Sequence, residues 1–302
     1  MPGMWSAQII ADEGLDYMID QTTTSGHFRA FSFVDRITSD QPGVKICGTY
    51  QIPAGIDSFD RPLIAEAVGQ LAAWSAMAAV DFKVRPVAGI AASVELLQAV
   101  RPGQTLQLAA DIETVDNEAV SYCGEAFVDG VQVIKMNHCV GPMLPQEDFD
   151  DPQAVENRYA LLSNGGTAPG AYRGVPVVNF ENVTNEPGQW FRASLPIPTA
   201  ALFFDDHFAR RPVFPGTLFM NKALELSTDL ARTIPIPNGG EWVARVIADG
   251  KLRAFIPPGD QLDYEVKVAK HDGGLLTIAV EARRAKRVTG NARIIFHAEK
   301  KS

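Results

Sequence analysis

Two side chains in this 302-residue sequence have the types that general acid–base chemistry needs, His207 and Glu66. His207 lies in Asp206-His207-Phe208-Ala209-Arg210-Arg211-Pro212-Val213-Phe214-Pro215-Gly216-Thr217-Leu218. A neutral imidazole is a suitable proton acceptor near pH 7. Pro212 and Pro215 stiffen the loop and fix where the ring points. Gly216 opens an apolar helical stretch. Its backbone N–H, with the positive end of the helix dipole, suits a developing oxyanion. Glu66 stands in Leu63-Ile64-Ala65-Glu66-Ala67-Val68-Gly69-Gln70, a carboxyl among alanines on a second apolar helix. Gln70, one turn on, can hydrogen-bond and orient it.

These two stretches resemble the FabA/FabZ family of 3-hydroxyacyl-ACP dehydratases. The family pattern is His-Phe-Pro-x-x-Pro-x-(Met/Phe)-Pro-Gly-x-Leu, and the sequence departs from it at Ala209. The family's acid stands fourteen residues after the histidine, where this chain has Asn221. An amide cannot donate the proton. Leu63 to Gln70 resembles the family's Leu-x-x-Glu-Ala-x-Ala-Gln helix segment. With Leu63 aligned on Leu218, Glu66 falls opposite Asn221. Phe33-Val34-Asp35-Arg36-Ile37 and Gly124 to Gly130 are similar to two further family segments. Sites in the family lie at a dimer interface, with histidine and carboxylate from different subunits. The resemblance therefore implies one composite site, His207 from one half and Glu66 from the other, and an empty pseudo-site near Asn221. It implies a hydro-lyase that turns a 3-hydroxyacyl thioester into the trans-2-enoyl thioester. The substrate would ride on the phosphopantetheine of acyl carrier protein or CoA, with no metal and no redox cofactor.

The elements that would position this pair are written twice. Val100-Arg101-Pro102-Gly103-Gln104-Thr105-Leu106 is echoed by Ile256-Pro257-Pro258-Gly259-Asp260-Gln261-Leu262, and Ile52-Pro53 by Ile197-Pro198. Each half reads as an extended stretch (31–50, 177–195), a loop, one long helix (63–80, 216–232) and a run of strands. Both helices are apolar on most faces, which predicts burial. The strands are predicted over 94–100, 105–115, 119–128 and 131–140, then over 248–255, 261–269, 275–284 and 292–298. Asp129-Gly130 is a hairpin signal. The expected fold is α+β, a double hotdog: two tandem units, each a long central helix wrapped by a curved antiparallel sheet. Residues 1–145 form the first unit, 146–175 a linker rich in Pro and Gly, and 176–302 the second. The first half is about ten residues shorter between Ile52 and Pro62, where a motif histidine would lie. Edge-to-edge joining of the two sheets would hide their exposed strands.

Composition narrows the rest. Net charge is −9, which argues against a nucleic-acid face. Arg283, Arg284, Lys286 and Arg287 form a local basic patch, a candidate docking site for an acidic carrier protein. No apolar run approaches the ~20 residues that span a bilayer. Met1 to Asp20 lacks the pattern of a secretory signal. Cys47, Cys123 and Cys139 have no metal-ligand spacing and fit reduced thiols in the cytoplasm. Cys139 reads as a buried strand residue. Phe203, Phe204, Phe208, Phe214 and Phe219 are candidates for an acyl tunnel, or for plain core. His138, His271 and His297 read as structural or surface groups, and His27 as the one other histidine to watch. An intramolecular pseudo-dimer is expected, open to further homodimerisation. Two rival readings share these residues. One is a hotdog thioesterase. The other is a non-catalytic acyl-binding partner of a fatty-acid or polyketide assembly line.

Overall fold

The computed structural model describes residues 28–169, 172–236 and 239–300. In chain order its elements are β1 (Arg36–Gln41), β2 (Lys45–Gln51), α1 (Arg61–Ala79), β3 (Val84–Pro86), β4 (Ile90–Leu96), β5 (Thr105–Val115), β6 (Ala119–Val128) and β7 (Val131–Pro145). Then follow α2 (Pro152–Asn164), β8 (Glu181–Glu186), β9 (Trp190–Pro196), the single turn α3 (Phe203–Asp206), α4 (Gly216–Arg232), β10 (Glu241–Leu252), β11 (Gln261–Asp272), β12 (Leu275–Arg284) and β13 (Arg287–Glu299).

Alternation drives the strands. β5 buries Leu106, Leu108, Ala110 and Ile112 and turns the residues between them outward, so one face of the sheet is core. Asp129 and Gly130 take φ of 50° and 79°, the left-handed pair that a tight two-residue hairpin between β6 and β7 needs. Among the described residues the strands form a 13-stranded antiparallel sheet in the order β1-β2-β5-β6-β7-β4-β10-β13-β12-β11-β9-β8, with β3 added beside β7. The order reads the same from both ends once the second half is matched to the first. The halves meet where β4 pairs β10, from Glu95↔Val246 to Ile90↔Lys251. This pairing covers one edge of each half.

Helix α1 has Pro62 in its first turn, where a missing N–H costs nothing, and good helix formers behind it. It packs on β2, β5, β6 and β7. The approach to β6 is so close that a Cβ on Gly124 would lie 2.4 Å from Val68 Cγ1. Helix α4 packs on β9, β10, β11 and β12, and the two helices touch each other.

Three expectations are corrected. The strand placed over 248–255 runs from Glu241 to Leu252, because Trp242, Ala244 and Ile247 face the core and pair with β13. Helix α4 is not buried all round: Leu218, Phe219, Ala223, Leu226 and Leu230 are buried, while Glu225 and Arg232 are exposed. The segment joining the halves is not all loop. It carries α2, whose Val155 and Leu162 are buried and whose Tyr159 hydroxyl donates to Asp40 at 2.7 Å. No helix among the described residues is long and apolar enough to cross a membrane.

Candidate active site

A largely apolar cavity of about 250 Å³ opens between α1, the head of α4 and the α3 turn. His207, Glu66, Gln70, Gly216 and Thr217 all line it.

His207 ends α3, its N–H bonded to Phe203 C=O at 2.9 Å. The loop behind it is tied back twice. Val213 N–H donates to His207 C=O at 2.8 Å, and His207 Nδ1 lies 3.1 Å from Val213 C=O. A carbonyl only accepts, so Nδ1 carries the hydrogen and Nε2 keeps its lone pair. Burial pushes the imidazole below its ordinary value, and the charge of Arg85 pushes the same way. Glu66 and the Val213 carbonyl oppose them. The net direction leaves His207 neutral, the form a base requires.

Glu66 is held by one partner from each half. Gln70 Nε2 donates to Oε1 at 3.0 Å. Thr217 Oγ1, at the head of α4, bonds Oε2 at 2.7 Å. An amide NH₂ only donates, whereas a hydroxyl can donate or accept. As placed, both oxygens of Glu66 accept, Oε1 from the Gln70 amide and Oε2 from the Thr217 hydroxyl. Gln70 also anchors the chain entering β1, accepting from Phe33 N–H at 2.7 Å and donating to Phe31 C=O at 2.9 Å.

Gly216 is the first residue of α4, so its N–H has no carbonyl one turn earlier to bond. A Cβ there would lie 2.3 Å from Leu252 Cδ1. Glycine keeps the helix head close to β10 and leaves the N–H approachable from the cavity.

Of the tunnel candidates only Phe208 lines this cavity. Phe203, Phe204, Phe214 and Phe219 are buried in the hydrophobic core and do not line the cavity. The far arm of the cavity is lined by Phe28, Trp74, Met77, Val155 and Leu162, between α1 and the joining helix α2. Arg283 is engaged by Glu281 at 2.8 Å and Arg284 by Asp260 at 3.0 Å, and Lys286 and Arg287 are exposed in the β12–β13 turn. Cys139 is buried in β7, its thiol pushed up to about 12 by desolvation. His138 pairs with Glu113 on the surface at 3.1 Å. His27 lies outside the described residues, as does the stretch Met1 to Asp20. No group of three or more His, Cys, Asp or Glu side chains among the described residues is placed to hold a metal ion.

Among the lining residues given no role by the sequence, Thr217, Asp206 and Arg85 bear most directly on the site. Thr217 holds the acid. Asp206 accepts from Phe28 N–H and Phe31 N–H, each at 2.6 Å, and so pins the 28–33 segment over the cavity. Arg85 reaches the wall behind Phe208. Asp206 and Thr217 sit directly beside His207 and Gly216, which is the one signal that could have drawn them in.

Residues 183–291, the half with His207 and Gly216, match the family model described as ApeI-like, ApeI dehydratase. A 3-hydroxyacyl-[acyl-carrier-protein] dehydratase FabZ of Tolumonas auensis is 36% identical over 75 residues, which are 24% of this chain and 50% of that protein. The FabZ of a Shewanella species is 30% identical over 114 residues, 36% of this chain and 73% of that protein. The chain thus spans half the length of the first relative and nearly three quarters of the second. Among solved structures, an oleoyl thioesterase of Lactobacillus plantarum is 10% identical with a TM-score of 0.55, covering 85% of this chain and 97% of its own. The 12:0-ACP thioesterase of Umbellularia californica is 9% identical with a TM-score of 0.52, covering 84% and 94%. At such identities the likeness is one of fold, and that fold is the hotdog. Taken with the motif around His207, these matches place the chain in the FabA/FabZ-type family of hotdog dehydratases.

Proposed function

We propose that the chain is a hydro-lyase acting on a 3-hydroxyacyl thioester, with one composite site in a double-hotdog frame. The observation that carries this reading is the bond from Thr217 of the second half to Glu66 of the first, beside Gly216, in a cavity that His207 also lines. His207 Nε2 takes the Cα proton. The Gly216 N–H receives the thioester oxygen as negative charge builds there. The Cα–H electron pair forms the double bond, the Cβ–O bond breaks, and Glu66 gives its proton to the departing hydroxyl. The products are the trans-2-enoyl thioester and water. Gln70 and Thr217 hold Glu66 in place. The acyl chain occupies the arm lined by Phe28, Trp74, Met77 and Leu162, with Phe208 at its side.

No metal or redox cofactor enters this scheme. The units are residues 1–145 and 176–302, joined by 146–175, and the setting is cytoplasmic fatty-acid or polyketide-like synthesis. The carrier is acyl carrier protein or CoA. An acidic carrier protein would dock at Arg283, Arg284, Lys286 and Arg287. Charge reversal at Lys286 and Arg287 should raise KM for carrier-bound substrate and spare a small thioester. An equal effect on both would remove the patch from the scheme.

Steady-state assay of 3-hydroxybutyryl and 3-hydroxydecanoyl thioesters tests the whole reading, with formation of the enoyl thioester as the expected outcome. Two solved structures of the same fold that span most of this chain carry thioesterase names, and hydrolysis is the second reading. Release of free thiol without enoyl product would establish it in place of the first. Tight acyl-thioester binding without turnover would point to an acyl-binding role.

A further inference from the structure

His207 does not stand alone against its loop. The Phe208 ring stacks on the imidazole, with centroids 4.3 Å apart and planes at 22°. On Phe208 lies the Arg85 guanidinium, 3.9 Å from the ring centre. Phe149 closes the side of this stack, edge-on to Phe208 at 5.2 Å. Asp150 Oδ2 accepts from Arg85 Nη1 at 2.9 Å, and both side chains are nearly inaccessible to water, 14% and 3% exposed. The histidine and the phenyl ring belong to the second half. Arg85 comes from β3 of the first half and Asp150 from the joining segment.

A buried ion pair is a costly way to fill space. Desolvation of the two charges offsets most of their attraction, and an apolar pair of similar size would pack at least as well. Arg85 Nε is buried with no hydrogen-bond partner, a further cost. An arginine that served packing alone would be a poor choice here. What it supplies and methionine could not is a flat cationic face on Phe208 and a fixed positive charge near the imidazole.

We propose that Arg85, oriented by Asp150, is a positioning residue for His207: it clamps the phenyl ring that stacks on the imidazole and sets the charge the imidazole meets. The inference deepens the reading of His207 as the base and rests on it for its catalytic meaning. The charged groups gathered round the ring are Glu66 from α1, Arg85 from β3, Asp150 from the joining segment, Arg158 from α2, Asp206 on the histidine's own turn and Arg211 in the loop beyond. Asp206 is committed to the backbone of Phe28 and Phe31. Glu66 and Arg85 are the groups whose charge the imidazole feels most directly, and Asp150 holds the Arg85 guanidinium in place. The signs of the pair are opposite. A positive neighbour disfavours imidazolium and a negative one favours it.

The test is an NMR titration of the His207 imidazole in the full chain, its signal assigned by its loss in His207→Gln. Arg85→Gln should move the midpoint up by roughly half a pH unit or more, and Asp150→Asn should move it down. Arg85→Lys, which keeps the charge and loses the flat face, should hold the midpoint near wild type and still lower kcat. Midpoints that stay put in both Arg85→Gln and Asp150→Asn, or move in the same direction, overturn the proposal, since a purely structural pair gives no reason for opposite signs. If Arg85→Gln does not fold, the downward move in Asp150→Asn decides alone. The titration needs no substrate. Opposite shifts in a protein that forms no enoyl thioester would leave this inference standing and remove the dehydratase reading.

Discussion

The two long helices meet in matching ways, and the side chains at the two crossings differ. At the first, Glu66 of α1 reaches the head of α4 and bonds Thr217. At the second, Asn221 of α4 reaches the head of α1 and its Nδ2 donates to Asp60 at 2.9 Å. Glu66 and Asn221 are equivalent positions when Leu63 is laid on Leu218. In the same alignment Arg61 stands where Gly216 stands. Its guanidinium spans to the Ala244 carbonyl on β10 at 2.9 Å, so a side chain occupies what glycine leaves open. No histidine lies between Ile52 and Pro62 to face Asn221. One symmetric frame thus holds an open crossing with a carboxyl, a histidine in the same cavity and a glycine helix head, and a plugged crossing with an amide and an arginine.

Cover differs in the same direction. Helix α1 is sheathed by the sheet on one side and by α2 and the 28–33 segment on the other, with Trp74 meeting Phe28 at 6.2 Å and Tyr159 at 6.4 Å. Helix α4 leaves Glu225 and Arg232 exposed among the described residues. A carboxyl is useful as an acid where water is excluded and fixed dipoles take water's place. The sheathed helix is the one that carries it.

The largest effects should come from dismantling the open crossing. His207→Ala and Glu66→Gln should each lower kcat by about 10²–10⁴-fold, the usual range for a single general acid or base. The two act in one elimination, so the double variant should be little worse than the poorer single. Asn221→Ala should stay within a few-fold of wild type. Steady-state kinetics on one thioester checks all four. A fully active Glu66→Gln, or an Asn221→Ala as damaged as Glu66→Gln, would mean that the crossings are not specialised as drawn.

A smaller effect should separate the two helix heads. Gly216→Ala puts a methyl against Leu252 Cδ1, the end of a side chain that can swing. We expect about a ten-fold loss in kcat/KM from a displaced helix head, because catalysis is steeply sensitive to such misplacement. Leu252→Ala in the same chain should restore much of it. Arg61→Ala, at the equivalent position of the plugged crossing, should cost stability more than rate. If Gly216→Ala is silent, the N–H at that position does not meet the reacting thioester.

Much of this frame is legible in the sequence. The ends of β5, β6, β12 and α4 follow from alternation, from turn residues and from the Pro-Gly entry to the helix. The pairing of Glu66 with His207 in one cavity follows from complementary gaps in the two halves. Other parts depend on contacts that no local pattern records. The joining helix has Asp151-Pro152 at its start and Val155, Tyr159 and Leu162 at helical spacing. That periodicity was available, but the Pro and Gly around it read as loop. Phenylalanines near the histidine could be counted, yet which of them reaches the cavity is set by tertiary packing, and four of the five lie in the core without lining it. Arg85 sits in the polar-looking run Lys83-Val84-Arg85-Pro86, and its burial is created by Asp150 and Phe208, distant in the chain.

The smallest expected effect is in the response to acid, and it too distinguishes the crossings. Burial, aided by Arg85, holds the His207 pKa below the usual ~6.5. In the proposed reaction the neutral form is the active one, so the acid limb of kcat/KM should have its midpoint below ~6.5. Glu66 raises the histidine's pKa through its charge, so Glu66→Gln should move the His207 midpoint further down. Stability follows the same linkage. The unfolded chain takes up its proton near ~6.5 and the folded one resists, so the unfolded state binds more protons as pH falls below that value. His207 therefore contributes nothing to pH dependence above ~6.5 and progressively destabilises the fold from there down to its folded pKa. His207→Gln should lose that part of the acid sensitivity. Its Tm should fall by less than the wild-type Tm between pH 7 and pH 5, by roughly a few degrees at most. The plugged crossing has no histidine to titrate, so Arg61→Ala should keep the wild-type slope. Identical Tm slopes for wild type and His207→Gln would mean that the imidazole is as free to take a proton in the fold as outside it, and the case for a neutral, buried base at the open crossing would go with it.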